Sequence, residues 1–151
     1  MNTQPPAFAF DKSWVEKLGK MKTCLACGKK LVGRQQKYCS STCQNEHRYM
    51  VYIERWKAGK ETGLKGEYQL SNYVRKYIFR KYDNKCSNCG WGEINPYSQT
   101  LPLEVEHIDG NHLNNKEDNL TLLCPNCHSL TATYKGANKG NGRTLRKKYS
   151  C

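Results

Sequence analysis

The sequence predicts an α+β protein made of small units, each too polar to rest on an apolar core and each tied together at cysteines. Three observations lead there. Only 37% of the 151 residues are hydrophobic and mean hydropathy is −0.87, so a chain this short buries little apolar surface and needs staples. Nine cysteines are present, and eight fall into two groups, C-x2-C-x11-C-x3-C over 24–43 and C-x2-C-x34-C-x2-C over 86–127. Apolar residues at helical spacing alternate with short strand-like runs along the remainder.

Disulfides are the competing use for the cysteines. The N-terminus, MNTQPPAFAFDKSW, lacks the basic start and apolar run of a secretory signal. No stretch approaches the roughly 18 apolar residues of a membrane span. A reducing, cytoplasmic setting without a membrane partner is therefore expected, and there paired C-x-x-C reads as a metal site. Cys24, Cys27, Cys39 and Cys43 suit one closed tetrahedral zinc site, and Cys86, Cys89, Cys124 and Cys127 a second, giving two structural zinc ions. Gly28 and Gly90 follow the first pair of each group, where a tight knuckle needs positive φ. His47 is expected on a helix surface, because four sulfurs already fill the nearby shell. Cys151 is left over as an unpaired thiol.

Taken in order, residues 1–22 contain Pro5-Pro6 and no period, and read as an arm. Residues 23–58 form the first four-cysteine finger plus a helix from about Asn45 to Lys57, with Tyr49, Met50, Ile53 and Trp56 on one face. Residues 59–70 are glycine-rich and polar, and read as a linker. Ser71 is an N-cap signal for a helix to about Tyr82, burying Val74, Tyr77 and Ile78. It opens a second domain over 71–135. There Leu101–Ile108 reads as a strand with Pro102 at its start, Asp109–Asn119 as a turn-rich loop, Leu120–Leu123 as a second strand, and Cys127 to about Tyr134 as a helix. Residues 136–151 form a basic tail.

Net charge is +12 and the pI is 9.3, which favours a polyanion, nucleic acid before membrane. The distribution is uneven: residues 86–134 hold six acids against one lysine, whereas 135–151 hold six bases and no acid. Basic arms around a locally acidic pocket suit an enzyme that grips phosphates and also holds a divalent cation. The candidate phosphate contacts are Lys135, Lys139, Arg143, Arg146, Lys147 and Lys148 in the tail, with Arg75 and Arg80 on the helix.

Phosphodiester hydrolysis needs a base for water and a cation for the charge on phosphate and leaving oxygen. Histidine is the natural base near neutral pH. Glu106 and His107 are adjacent at the end of the first expected strand, where neighbours point to opposite faces. Both can address one site only if the strand stops there, and Asp109-Gly110 is a turn signal that would stop it. His128 follows Cys127, and on a helix the two differ by about 100° in direction. The cysteine can thus face structural zinc while the histidine faces another metal.

The run LEVEHIDGNHLNNKEDNLTLLCPNCHSLT resembles the HNH, or ββα-metal, endonuclease family. His107, Asn119 and His128 stand in for its three signature residues, with eleven and eight residues between them. The flanking cysteines resemble the zinc-stabilised branch, the tail KGANKGNGR resembles phage and prophage members, and the likeness extends over about 84–145. The first cysteine unit looks like a treble-clef or ribbon finger. The resemblance implies a ββα-metal domain that nicks or cuts double-stranded DNA, in the cytoplasm of a bacterial or phage-infected cell. It implies His107 as general base, Glu106 and His128 as ligands of magnesium or manganese, with zinc or nickel as further candidates, and Asn119 as the residue that orients His107. Glu106 departs from the commoner aspartate. The competing function is a zinc-dependent DNA-binding protein with a vestigial site, and a weaker one is an RNA-directed nuclease. Monomer and homodimer are both compatible with the sequence.

Overall fold

The computed structural model describes residues 22–138. They fall in two compact units that divide between Met50 and Val51.

In the first unit, a bridge between Thr23 and Lys30 closes the first cysteine knuckle. Gly28 takes φ 71° there, and its amide donates to the Cys24 carbonyl at 2.9 Å. The helix α1 runs Ser41–Lys57 and begins four residues before the expected Asn45. The cause is Ser40, whose hydroxyl accepts from the Cys43 amide at 3.1 Å, satisfying one of the donors a helix start leaves free.

Within the second unit, the expected linker contains two short antiparallel strands, β1 Leu64–Lys65 and β2 Gln69–Leu70, in register Leu64↔Leu70. Gly63 is required beside them. It sits at φ 76°, and a Cβ there would lie 2.8 Å from Asn115 Cβ and 2.9 Å from Trp56 Nε1. Ser71 caps α2, Asn72–Lys81, by accepting from the Tyr73 amide. Val74 and Ile78 are wholly buried where α2 packs on β4, and Tyr77 is half-buried.

The central hairpin pairs β3, Glu104–His107, with β4, Leu120–Leu123, from Glu104↔Leu123 to His107↔Leu120. β3 is shorter than the expected 101–108. Its start is delayed past Pro102, which has no amide to give a ladder, and its end is set by a turn in which the Gly110 amide donates to the His107 carbonyl at 2.9 Å. The helix α3 covers Pro125–Ser129, starting before the expected Cys127 because Pro125 suits a first turn and Cys124 Sγ accepts from the Cys127 amide. It stops at Ser129 rather than Tyr134. Beyond it Thr131 Oγ1 donates to the His128 carbonyl at 2.9 Å, and turns continue to Asn138. Leu120 and Leu122 join Val74 and Ile78 as the largest fully buried side chains. That core is small, and α3 closes over the hairpin at the second cysteine group.

Candidate active site

Eight sulfurs set the frame. Cys24, Cys27, Cys39 and Cys43 gather with their sulfurs within 4.8 Å of one another, as do Cys86, Cys89, Cys124 and Cys127. Neighbouring sulfurs lie 3.4 Å apart for Cys39 and Cys43 and 3.7 Å for Cys89 and Cys124. With Zn–S near 2.3 Å, a tetrahedron has edges of about 3.8 Å, so both groups fit a zinc ion. At Cys86 burial pushes the thiol up, but backbone amides of Cys124, Cys89 and Asn88 outweigh it and bring the pKa to about 6. Cys24 behaves alike, also about 6. In contrast, hydrogen bonds to Cys43 and Cys27 hold the Cys39 proton up to about 12. Metal binding to such a cluster requires thiolates and therefore displaces thiol protons.

The hairpin carries the acid–imidazole pair. Glu104 and Glu106 lie on the same face of β3, two residues apart. His128, on α3 one residue beyond Cys127, sits between them: Nε2 is 3.0 Å from Glu106 Oε2 and Nδ1 is 3.0 Å from Glu104 Oε2. Glu106 keeps its other oxygen on the Thr133 hydroxyl at 2.9 Å. The edge of the His128 ring meets Tyr134, with centroids 5.2 Å apart. Two ligand atoms 3.0 Å apart suit one divalent cation, and the second imidazole nitrogen on a carboxylate is the usual way a metal-binding histidine is oriented.

His107 is held from elsewhere. Its Nε2 lies 2.8 Å from Asn115 Oδ1. The Asn115 amide nitrogen faces the carbonyls of Thr62 and Leu113, so its oxygen faces the ring and Nε2 carries the proton. That leaves Nδ1 with the free lone pair a base needs. Asn115 is itself fixed, because Trp56 Nε1 donates to its carbonyl at 2.8 Å and the residue is buried. Asn119 acts on the loop instead. Its amide donates to Asp109 Oδ1 at 2.9 Å and the Asn114 carbonyl at 2.8 Å, and its oxygen accepts from the Asp109 amide. The side chain bonded to His107 is thus Asn115, while Asn119 ties Asp109 and Asn114 to the hairpin.

Glu106, His107 and His128 line one cleft of about 450 Å³, together with Tyr68, Arg75, His112 and Lys135. Gly110 also belongs to its wall: a Cβ there would lie 2.6 Å from Asn138 Oδ1, and Asn138 donates to its carbonyl. Of the expected phosphate contacts, Arg75 and Lys135 reach this cleft and Arg80 lies elsewhere on α2. Lys139, Arg143, Arg146, Lys147, Lys148 and the leftover Cys151 lie outside the described residues. His47, on α1, has Nδ1 3.1 Å from the Tyr38 hydroxyl. Sequence reasoning missed Glu104 and Asn115. An acid two residues before Glu106 on a strand was a legible signal for the first. Nothing in the run of loop asparagines singled out the second.

The cleft thus combines a carboxylate–imidazole pair, a second histidine and two basic residues, on a hairpin and helix joined at a cysteine cluster. Residues 86–131 match the HNH endonuclease family. It is 41% identical over 93 residues to the H-N-H endonuclease F-TflIV of Escherichia phage T5, a match covering 59% of this chain and 39% of that protein. The chain thus spans about two-fifths of that relative's length. No solved structure matches. These likenesses support a nuclease. Among the described residues no helix is long and apolar enough to cross a membrane.

Proposed function

We propose that the chain is a metal-dependent endonuclease that hydrolyses phosphodiester bonds in double-stranded DNA, with β3, β4 and α3 as its ββα-metal unit. One observation carries this reading: His128 Nε2 and Glu106 Oε2 stand 3.0 Å apart in a cleft that His107 also lines. A divalent cation held by Glu106 and His128, magnesium or manganese, would neutralise charge on the phosphate and the leaving oxygen. His107, protonated at Nε2 against Asn115, accepts the proton of the attacking water at Nδ1. Glu104 holds the His128 ring, and Thr133 holds the Glu106 carboxylate. Asn119 keeps the Asp109–Asn114 loop against the hairpin, and so keeps Asn115 within reach of His107. Zinc held by Cys86, Cys89, Cys124 and Cys127 would position His128 without taking part in the reaction. Duplex DNA as substrate is supported by the net charge of +12 and by Arg75 and Lys135 at the cleft.

The test is a supercoiled-plasmid assay with the zinc-loaded chain and added magnesium or manganese. Conversion to nicked or linear DNA is expected. Binding without any conversion, under both ions, would favour a DNA-binding protein with a vestigial site. Preferential cleavage of RNA would reassign the substrate.

A further inference from the structure

The cleft holds one histidine that the hydrolytic scheme does not use. His112 lies in the loop after β3, and both of its ring nitrogens are buried with no hydrogen-bond partner among the described residues. Any neutral imidazole carries one N–H donor and one acceptor, and an imidazolium carries two donors. Buried polar atoms are nearly always paired, so an orphaned pair at a cleft wall points to a ligand. The Tyr68 ring lies 6.3 Å away, tilted by 34°, which limits the orientations open to the imidazole. Arg75 lines the same cleft and makes no ion pair with a carboxylate of the described residues.

Two ligand classes could meet such a group. A metal ion would need His112 to gather with other donors. Among the described residues, however, ligand atoms of three or more His, Cys, Asp or Glu residues come within 4.8 Å of one another only at the two cysteine clusters. The carboxylate that lines the cleft, Glu106, already belongs to the cation position proposed with His128. A phosphate oxygen needs only donors, and an imidazole N–H and a guanidinium that line one cleft are a donor set suited to it. We propose that His112 and Arg75 form a phosphate-binding position in the cleft, apart from the Glu106–His128 pair, which receives a backbone phosphate of the bound nucleic acid. This rests on the nuclease reading, because it takes the cleft as the path of the strand.

Imidazole nitrogen spectra of the zinc-loaded full chain, recorded with and without a short duplex and with no magnesium or manganese, test it directly. The chain has four histidines, so the resonances can be assigned by substitution. The His112 nitrogens are expected to shift on binding. In parallel, His112→Leu should weaken duplex binding about tenfold, the order of one hydrogen bond to a charged group, while His112→Gln, which keeps an amide donor, should retain most of the affinity. Arg75→Gln should weaken it similarly. A duplex that binds and leaves the His112 resonances unmoved overturns the phosphate position and leaves the nuclease reading intact. A His112→Leu chain with native affinity does the same. Failure of the native zinc-loaded chain to bind duplex at all overturns both.

Discussion

The roles proposed for His107 and His128 rest on their different partners. Nε2 of His107 meets an amide oxygen, which selects the Nε2–H tautomer of the neutral ring, whereas both nitrogens of His128 face carboxylates, which suits a ring committed to a cation. His107→Ala is expected to abolish plasmid nicking while leaving duplex affinity within a factor of a few. Turnover at the native rate would remove His107 from the base role. Asn115→Ala should cost on the order of a hundredfold in kcat, the penalty for a reacting group that loses its placement, with metal affinity unchanged by calorimetry. Glu104→Ala should do the reverse at the metal, weakening manganese binding by roughly 10–100-fold, the usual effect of losing a ligand's orienting partner. At this scale the sequence was informative where chemistry and spacing coincide, as at Glu106, His107 and His128. It was silent on Asn115, because a loop asparagine that reaches a histidine eight residues earlier looks like any other turn residue.

Among the elements, the hairpin and α3 are joined through Cys124 and Cys127 at the point where His128 leaves the helix. α3 is only five residues long, too short to persist without its anchor. Cys127→Ser is therefore expected to release zinc, lower the unfolding temperature and remove nicking together; a variant with native thermal stability would separate the ion from the fold. A second tie links α1 and α2 to the loop before β4. Glu117 accepts from the Tyr77 hydroxyl at 2.6 Å and pairs with Lys81 at 3.1 Å and Lys57 at 3.2 Å. Burial raises its carboxyl pKa, but Tyr77, Lys81 and Lys57 outweigh burial and hold it below the ordinary glutamate value. Because the folded value is the lower one, the stabilisation is complete above the unfolded pKa of about 4.3. It is lost as pH falls through the folded value. Glu117→Gln should flatten the thermal-stability profile below about pH 4.5, and a variant with the native acid profile would exclude this tie. The short β1–β2 pair was hidden in the sequence, since two-residue strands leave no alternation to read.

For the whole chain, the net charge of +12 bears on the duplex binding proposed above. Removing 135–151 takes away six basic residues and no acid. If all six meet phosphates, the slope of log K against log salt should flatten by about five. An unchanged slope would show that this segment takes no part in binding.

The sequence alone determined the sulfur frames, the sign of the field and the identity of the acid–imidazole set, because thiolate spacing, net charge and side-chain chemistry are local properties of the chain. Tertiary structure decided which groups meet. Only folding sets Glu104 and Glu106 on either side of the His128 ring, bonds Asn115 rather than Asn119 to His107, and leaves the His112 ring nitrogens without a hydrogen-bond partner among the described residues. Such pairings depend on strand register, on where a helix begins and on a glycine that admits Trp56, and none of these is carried by any single stretch of residues.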